Sequence, residues 1–335
     1  MTEQNRRLVL AERPSGMVDD ATVRMDPEDV PTVGGGEALA KVRYLSIDPT
    51  IRTWMDDAPG YLPPIGIGEV IRSGGIAEVL ESNSDTYQPG QLLFGMTGWQ
   101  DYVVADDGAR AMQALPPGVP PTTALGLLGI TGMTAYFGLL DVGKMKEGDV
   151  VVVSGAAGAT GSTVGQIARI KGAGKVIGIA GGSEKCSWIV DELGFDAAVD
   201  YKSDNVAARL HEEAPEGIDV YFDNVGGDIL NICLAQLAMK GRVVVCGAIS
   251  GYNDRGGFKG PANYVNLIRV RGRMEGFLIL DYFDRLPAAQ AEMAGWLSEG
   301  KLKSAEHIVE GLDRAPEALN LLFTGGNVGK VIVKL

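Results

Sequence analysis

With 335 residues, 45% of them hydrophobic, the chain has the length of about two domains and the apolar content of an ordinary globular protein. Lys and Arg number 30 against 43 Asp and Glu, and the net charge of −13 argues against nucleic acid and anionic membrane surfaces as partners. No run approaches the roughly 20 apolar residues of a membrane span. The N-terminal stretch is too short in apolar residues for a signal peptide, and three cysteines lack framework spacing, so a reducing, cytoplasmic location is expected.

Residues 1 to about 125 carry short apolar runs at 8–10, 38–42, 66–71, 76–80, 91–94 and 102–104, divided by Pro, Gly and Asp turns. That spacing predicts an all-β, barrel-like module. Pro116, Pro117, Pro120 and Pro121 then punctuate the chain, and a helical stretch around 125–140 leads into the second half. From Val150 onward, apolar runs at 150–153, 176–180, 197–200, 218–222, 242–246 and 274–279 alternate with mostly helical patterns. Two βαβαβ halves of this kind predict an α/β, doubly wound fold with a six-stranded parallel sheet. A helix over 315–323 precedes a single strand over 328–335, which has no place in a completed six-strand sheet and is expected to return to the β-rich module.

The first βα turn organises the second half. Four valines, Val150 to Val153, read as a buried strand because β-branched side chains suit a sheet packed on both faces. Gly155, Gly158 and Gly161 follow in G-x-x-G-x-x-G spacing, and a helical period with Val164, Ile167 and Ala168 on one face comes next. Glycines there let the backbone approach a pyrophosphate at the positive end of the helix. An NAD-selective site places an acid near the end of the second strand. Glu184 stands nearby, but behind Gly181-Gly182-Ser183 it fits the first turn of a helix, where acids are favoured anyway. Lys185 beside it offers a cation to a 2′-phosphate, with Tyr201 and Lys202 available after the third strand. The expected cofactor is NADP(H).

Absences narrow the chemistry further. His211 and His307 each lie beside charged residues and read as solvated side chains, while Cys186, Cys233 and Cys246 all fall in the nucleotide-binding half. Residues 1–125 contain neither Cys nor His, so no zinc site on N/S ligands is expected. No G-x-S-x-G elbow marks a hydrolase. Metal-free hydride chemistry carried by the cofactor remains.

The stretches LSIDPTIR (45–52), GMTAYFGLLDVG (132–143), AAGATGSTVGQIARIKGAGKVIGIAGGSEKC (156–186), YFDNVGG (221–227), CGAISGYN (246–253), MEGF (274–277) and GGNVGK (325–330) occur in order along nearly the whole chain. Together they resemble the zinc-independent medium-chain dehydrogenase/reductases, specifically the NADP-dependent alkenal/one oxidoreductases that include the leukotriene B₄ 12-hydroxydehydrogenase/prostaglandin reductases. The resemblance implies a GroES-like substrate and catalytic domain from 1–126 and 301–335 and a Rossmann NADP-binding domain over 127–300. It places Ala159, Thr160, Gly161 and Ser162 on the pyrophosphate, and Lys185 and Tyr201 on the 2′-phosphate. Asn224 would lie along the cofactor, with Cys246, Gly247, Ala248, Ile249, Ser250 and Gly251 passing under it. Phe277, Leu278 and Ile279 would face the nicotinamide amide, and Asn327 would close the site from the C-terminal segment. On the residues alone, Cys246 also reads as a small buried side chain and Asn224 as a turn former.

The activity implied is NADPH-dependent reduction of the C=C bond of α,β-unsaturated aldehydes or ketones, with Tyr252 as the catalytic hydrogen-bond donor to the developing enolate. Small-molecule enals and enones would be the partners, and the chain would pair as a homodimer through sheet edges. A zinc-free quinone oxidoreductase and a non-catalytic NADPH sensor are the alternatives. Relatives often carry tyrosine where Thr50 stands and proline where Thr131 stands, which leaves substrate specificity open. Met25, Trp54, Met55 and Tyr61 could supply apolar walls to the substrate pocket, with a core role as the default reading of each.

Overall fold

The computed structural model describes residues 4–254 and 260–335. By chain contacts they form two compact units, one of Met1–Leu125 with Glu306–Leu335 and one of Gly126–Ala305.

The first unit is built on the ten-residue strand Glu37–Ser46. Gly74–Ser82 runs antiparallel along one side of it, while Tyr102–Asp106 and Lys330–Lys334 share the other side, pairing with its first and last residues respectively. The C-terminal strand thus returns to the β-rich unit. It is joined there by a parallel strand, Glu306–Glu310, that no apolar run announced. Glu-His-Ile-Val-Glu carries only two apolar residues, and its pairing is decided by the neighbouring strand. The run at 66–71 is not a strand. Gly68, at φ +85°, turns the chain, and the segment bonds to Leu8 and Leu10 through Glu69 and Ile71. Leu10, Leu45, Ile51, Met55 and Trp99 form part of a fully buried core.

In the second unit the parallel strands are β1 (Val150–Ser154), β2 (Lys175–Ala180), β3 (Ala197–Asp200), β4 (Ile218–Asp223), β5 (Leu237–Val245) and β6 (Arg273–Gly276). Helices α1 (Ala159–Ile170), α2 (Ser183–Asp191), α3 (Val206–Glu213) and α4 (Gly227–Ala235) connect the first five. The sheet order is β3-β2-β1-β4-β5-β6, so the winding reverses between β1 and β4. The loops leaving the C-terminal ends of those two strands diverge there, which is where open α/β sheets take ligands. Val151, Val152, Val153, Val220, Tyr221 and Phe222 are essentially without solvent exposure, as a sheet covered on both faces requires.

Two expectations are corrected. The helical stretch at 125–140 is three pieces, Pro121–Leu125, Ile130–Phe137 and a π turn over Gly138–Val142. The chain between the first two folds back so tightly that a Cβ on Gly132 would overlap the Leu127 carbonyl oxygen at 1.7 Å. The sixth strand stops at Gly276 rather than 279, and Ile279–Arg285 forms a 3₁₀ turn.

Candidate active site

At the β1–α1 turn, Gly155 adopts φ +59°, a conformation that favours glycine. A Cβ on Gly161 would come within 2.3 Å of the Gly155 carbonyl oxygen, so the third glycine is what lets α1 sit on the turn. The Ala156 N–H donates to Ile179 O at 3.0 Å and pins the turn to β2. Gly158, the N-cap, supplies no side-chain cap. The N–H groups of Ala159, Thr160 and Gly161 therefore lie in a first turn without intrahelical acceptors, at the positive end of the helix dipole. That is a cradle for an anion. Ser162 differs from its three neighbours: its N–H is spent on Gly158 O at 2.9 Å, and its hydroxyl donates to Ala159 O at 3.3 Å.

At the end of β2 there is no acid. Gly181 and Gly182 (φ +97°) turn the chain, and Glu184 is exposed on the first turn of α2. Tyr201 places its ring where a Cβ on Gly181 would approach it to 2.7 Å, so that glycine makes room for the aromatic. Lys185 is partly buried, and burial first and the neighbouring Lys202 second hold its ammonium below the usual lysine range. Asp200 braces this corner. Its carboxylate accepts from Gly182 N at 2.7 Å, Lys202 N at 3.0 Å and Ser203 Oγ at 3.0 Å, and these bonds hold it below the usual range. Two like charges are brought together beside a tyrosine, an arrangement an incoming dianion would relieve.

Across the switch point, Asn224 ties β4 to β1: its N–H donates to Ser154 Oγ at 2.9 Å and its Nδ2 to Ser154 O at 2.7 Å. The segment after β5 is laced onto this turn. Cys246 and Gly247 N–H groups donate to Asp223 O at 2.9 and 3.0 Å, Ile249 N to Asn224 O at 3.2 Å, and Ser250 Oγ to Val225 O at 2.6 Å. Burial first, and Asp223 second, push the Cys246 thiol well up, so it sits there as a neutral group.

Tyr252 curls back over this segment instead of pointing to solvent. Its hydroxyl accepts the Ala248 N–H at 3.2 Å and would lie 3.1 Å from a Cβ on Gly247. Phe277 packs against Gly138, where a Cβ would approach its ring to 2.6 Å, and Tyr282 stacks on Phe137 with centroids 4.5 Å apart. These aromatics anchor Phe277, Leu278 and Ile279 as they leave the sheet. The Leu278 carbonyl is used locally, accepting Asp281 N at 3.2 Å. Asn327 belongs to the β-rich unit, buried, with Nδ2 donating to Gly329 O at 3.0 Å.

Sequence reasoning overlooked Ser154 and Asp223. Asp223 stands inside YFDNVGG and Ser154 directly follows the four valines, but only their hydrogen bonds reveal that they hold Asn224 and the 246–250 segment. In the β-rich unit, Thr50 Oγ1 and Tyr61 OH share a hydrogen bond of 2.6 Å, Trp54 meets Tyr61 edge-on, and Arg72 lies over the Trp54 ring. Met55 is core as expected, whereas Tyr61 is 47% and Met25 36% exposed. Neither finds apolar neighbours enough to cover it. Thr131 donates to Gly126 O at 3.0 Å, helping to close the break before its helix.

Sheet order, anion cradle and a basic second-strand end together define a dinucleotide-binding unit. Residues 6–113 match a family model described as the N-terminal domain of oxidoreductase, and 159–294 match one described as zinc-binding dehydrogenase. The chain is 40% identical over 338 residues to the NADPH-dependent curcumin reductase of Escherichia coli, covering 99% of this chain and 97% of that protein. It is 39% identical over 302 residues to a tobacco (Nicotiana tabacum) NADP⁺-dependent 2-alkenal reductase, covering 90% and 88%. The crystal structure of CurA from Vibrio vulnificus in complex with NADPH superposes with a TM-score of 0.93 at 41% identity, covering 98% of each chain. The chain belongs to the alkenal/enone reductase family of the zinc-independent medium-chain dehydrogenase/reductases.

Among the described residues no three His, Cys, Asp or Glu side chains come together as a metal site, and Cys233 is sealed in an apolar core cluster.

Proposed function

We propose that this protein reduces the C=C bond of α,β-unsaturated aldehydes and ketones with NADPH. The observation that carries the reading is the phenol of Tyr252, held on a segment laced to the turn where β1 and β4 diverge. The residues of the site fit the dinucleotide: the bare first turn of α1 suits a pyrophosphate, and Lys185, Lys202 and Tyr201 suit a 2′-phosphate. Phe277 to Ile279 serve the nicotinamide amide. When bound, NADPH supplies a hydride to the β-carbon of the substrate.

The residues then have distinct tasks. Asn224 and the 246–251 segment orient the cofactor. Tyr252 donates a hydrogen bond to the carbonyl oxygen, where negative charge develops as the enolate forms, so its contribution is largest in the transition state. Its hydroxyl accepts the Ala248 N–H, and accepting one bond strengthens a hydroxyl as a donor through its own hydrogen. Thr50 and Tyr61, hydrogen-bonded to each other, are the elements of the β-rich unit proposed to set substrate specificity.

The test is NADPH oxidation against a panel of enals, enones and quinones. Turnover of enals and enones is expected. Quinone turnover alone would move the protein to the quinone oxidoreductases, and no turnover with intact NADPH binding would make it a sensor.

The reading extends to assembly and location. Strand β6 is one of the two edges of the sheet, the other being β3, and Met274, Glu275 and Gly276 on β6 are exposed. Such an edge invites strand pairing, and a two-fold pair is the commonest closed assembly. Sedimentation equilibrium should return twice the 35.3 kDa chain mass. A single-chain mass at micromolar concentration would rule this assembly out. Among the described residues no helix is long and apolar enough to cross a membrane, and a cytoplasmic enzyme suits the three free thiols.

A further inference from the structure

Asp223, the last residue of β4, is 1% exposed. Four donors converge on its Oδ1: Ser154 Oγ at 3.1 Å, Tyr221 OH at 2.7 Å, Val225 N at 3.0 Å and Gly226 N at 2.9 Å. Its Oδ2 is buried and has no hydrogen-bond partner among the described residues. A half-satisfied buried carboxyl is costly, and burial here raises its pKa against the pull of its donors. Burial first, and Asp223 itself second, hold the Cys233 and Cys246 thiols close by neutral, so they add no second negative charge beside it. Such a group is an odd choice for packing alone. A turn at this point needs only an acceptor for Val225 and Gly226, which the shorter serine provides, whereas the Asp223 oxygen also reaches Ser154 and Tyr221.

The acid does more than close the turn. By taking the Ser154 hydroxyl hydrogen, it directs the lone pairs of that oxygen toward the Asn224 N–H, and the Ser154 carbonyl takes the Asn224 amide. Its own carbonyl takes the N–H groups of Cys246 and Gly247. We propose that Asp223 is a positioning residue: through Ser154 it aims Asn224, and with it the start of the 246–252 segment, at the bound dinucleotide. This rests on the reading of Asn224 as a cofactor contact.

NADPH dissociation constants for single and double variants decide it. Asp223→Ser, too short to gather four donors, should weaken NADPH about tenfold, whereas Asp223→Asn, which keeps the acceptor oxygen, should stay within about threefold of wild type. In an Asn224→Ala background the Asp223→Ser loss should shrink to less than about threefold, because residues acting through one another are not additive. Should Asp223→Ser fail to give a cooperative thermal transition, Ser154→Ala, the middle member of the chain, replaces it in the same cycle with the same expectation. If Asn224→Ala weakens NADPH but the second substitution costs as much as it does alone, Asp223 acts elsewhere and the proposal falls by itself. If Asn224→Ala leaves NADPH binding unchanged, the reading of Asn224 falls and takes the proposal with it.

Discussion

Replacing Tyr252 with phenylalanine should lower the single-turnover rate of NADPH oxidation with an enone by about 10²–10³, the loss typical of one oxyanion donor. NADPH affinity should hardly change. The substitution keeps the ring and removes only the hydroxyl, the atom that meets Gly247 and the Ala248 N–H. The Ala248 N–H would lose its acceptor in the variant, but that group is only half-buried and water can take over the bond. The rate effect therefore reads the phenol's role at the substrate, not a collapse of the loop. Rates within about twofold of wild type, well short of that range, would strike Tyr252 from the mechanism and leave it as a loop residue.

Lys185→Ala should weaken NADPH by about 1.5–3 kcal/mol, roughly 10- to 150-fold, the range of a charge-assisted hydrogen bond to phosphate. NADH affinity should be nearly unaffected. The geometry gives the reason: no carboxylate ends β2, and Lys185 and Lys202 stand beside Tyr201 with only glycine between strand and helix. A pH dependence follows from the same pair. The free protein holds Lys185 below the usual 10.5 through burial and the like charge of Lys202, and a 2′-phosphate favours its charged form. NADPH affinity is then complete below the lowered pKa and falls as pH rises through it, sooner than an ordinary lysine would allow. In Lys185→Ala that alkaline loss should diminish. Equal weakening of NADPH and NADH would show that this lysine does not read the phosphate.

Much of this was legible locally. The valines of β1, the three glycines after it and the spacing of the later apolar runs required a parallel sheet with an anion-ready helix terminus. Each of those signals depends on backbone preferences within a few residues. The absence of an acid at the end of β2, and the lysine next along, could likewise be read directly. The strand Glu306–Glu310 could not, because its two apolar residues carry no period and its partner Lys330–Lys334 lies across a helix. The break at 126–129 also escaped notice, since it depends on Gly132 meeting the Leu127 carbonyl.

By itself, then, the order of residues determined the fold class and the place of the glycine turn after β1, because glycine conformation, β-branching and helix periodicity act over short range. Only tertiary structure decided what those residues do to one another. Lys202 is 17 positions from Lys185, yet after burial it is the second cause that lowers the lysine's pKa. Ser154 is 69 positions from Asp223, yet gives it a hydrogen. Tyr252 turns inward because a backbone N–H of its own loop is held ready by bonds to β4. Such couplings arise when a parallel sheet brings the ends of distant strands to one edge, a distance that no local pattern encodes.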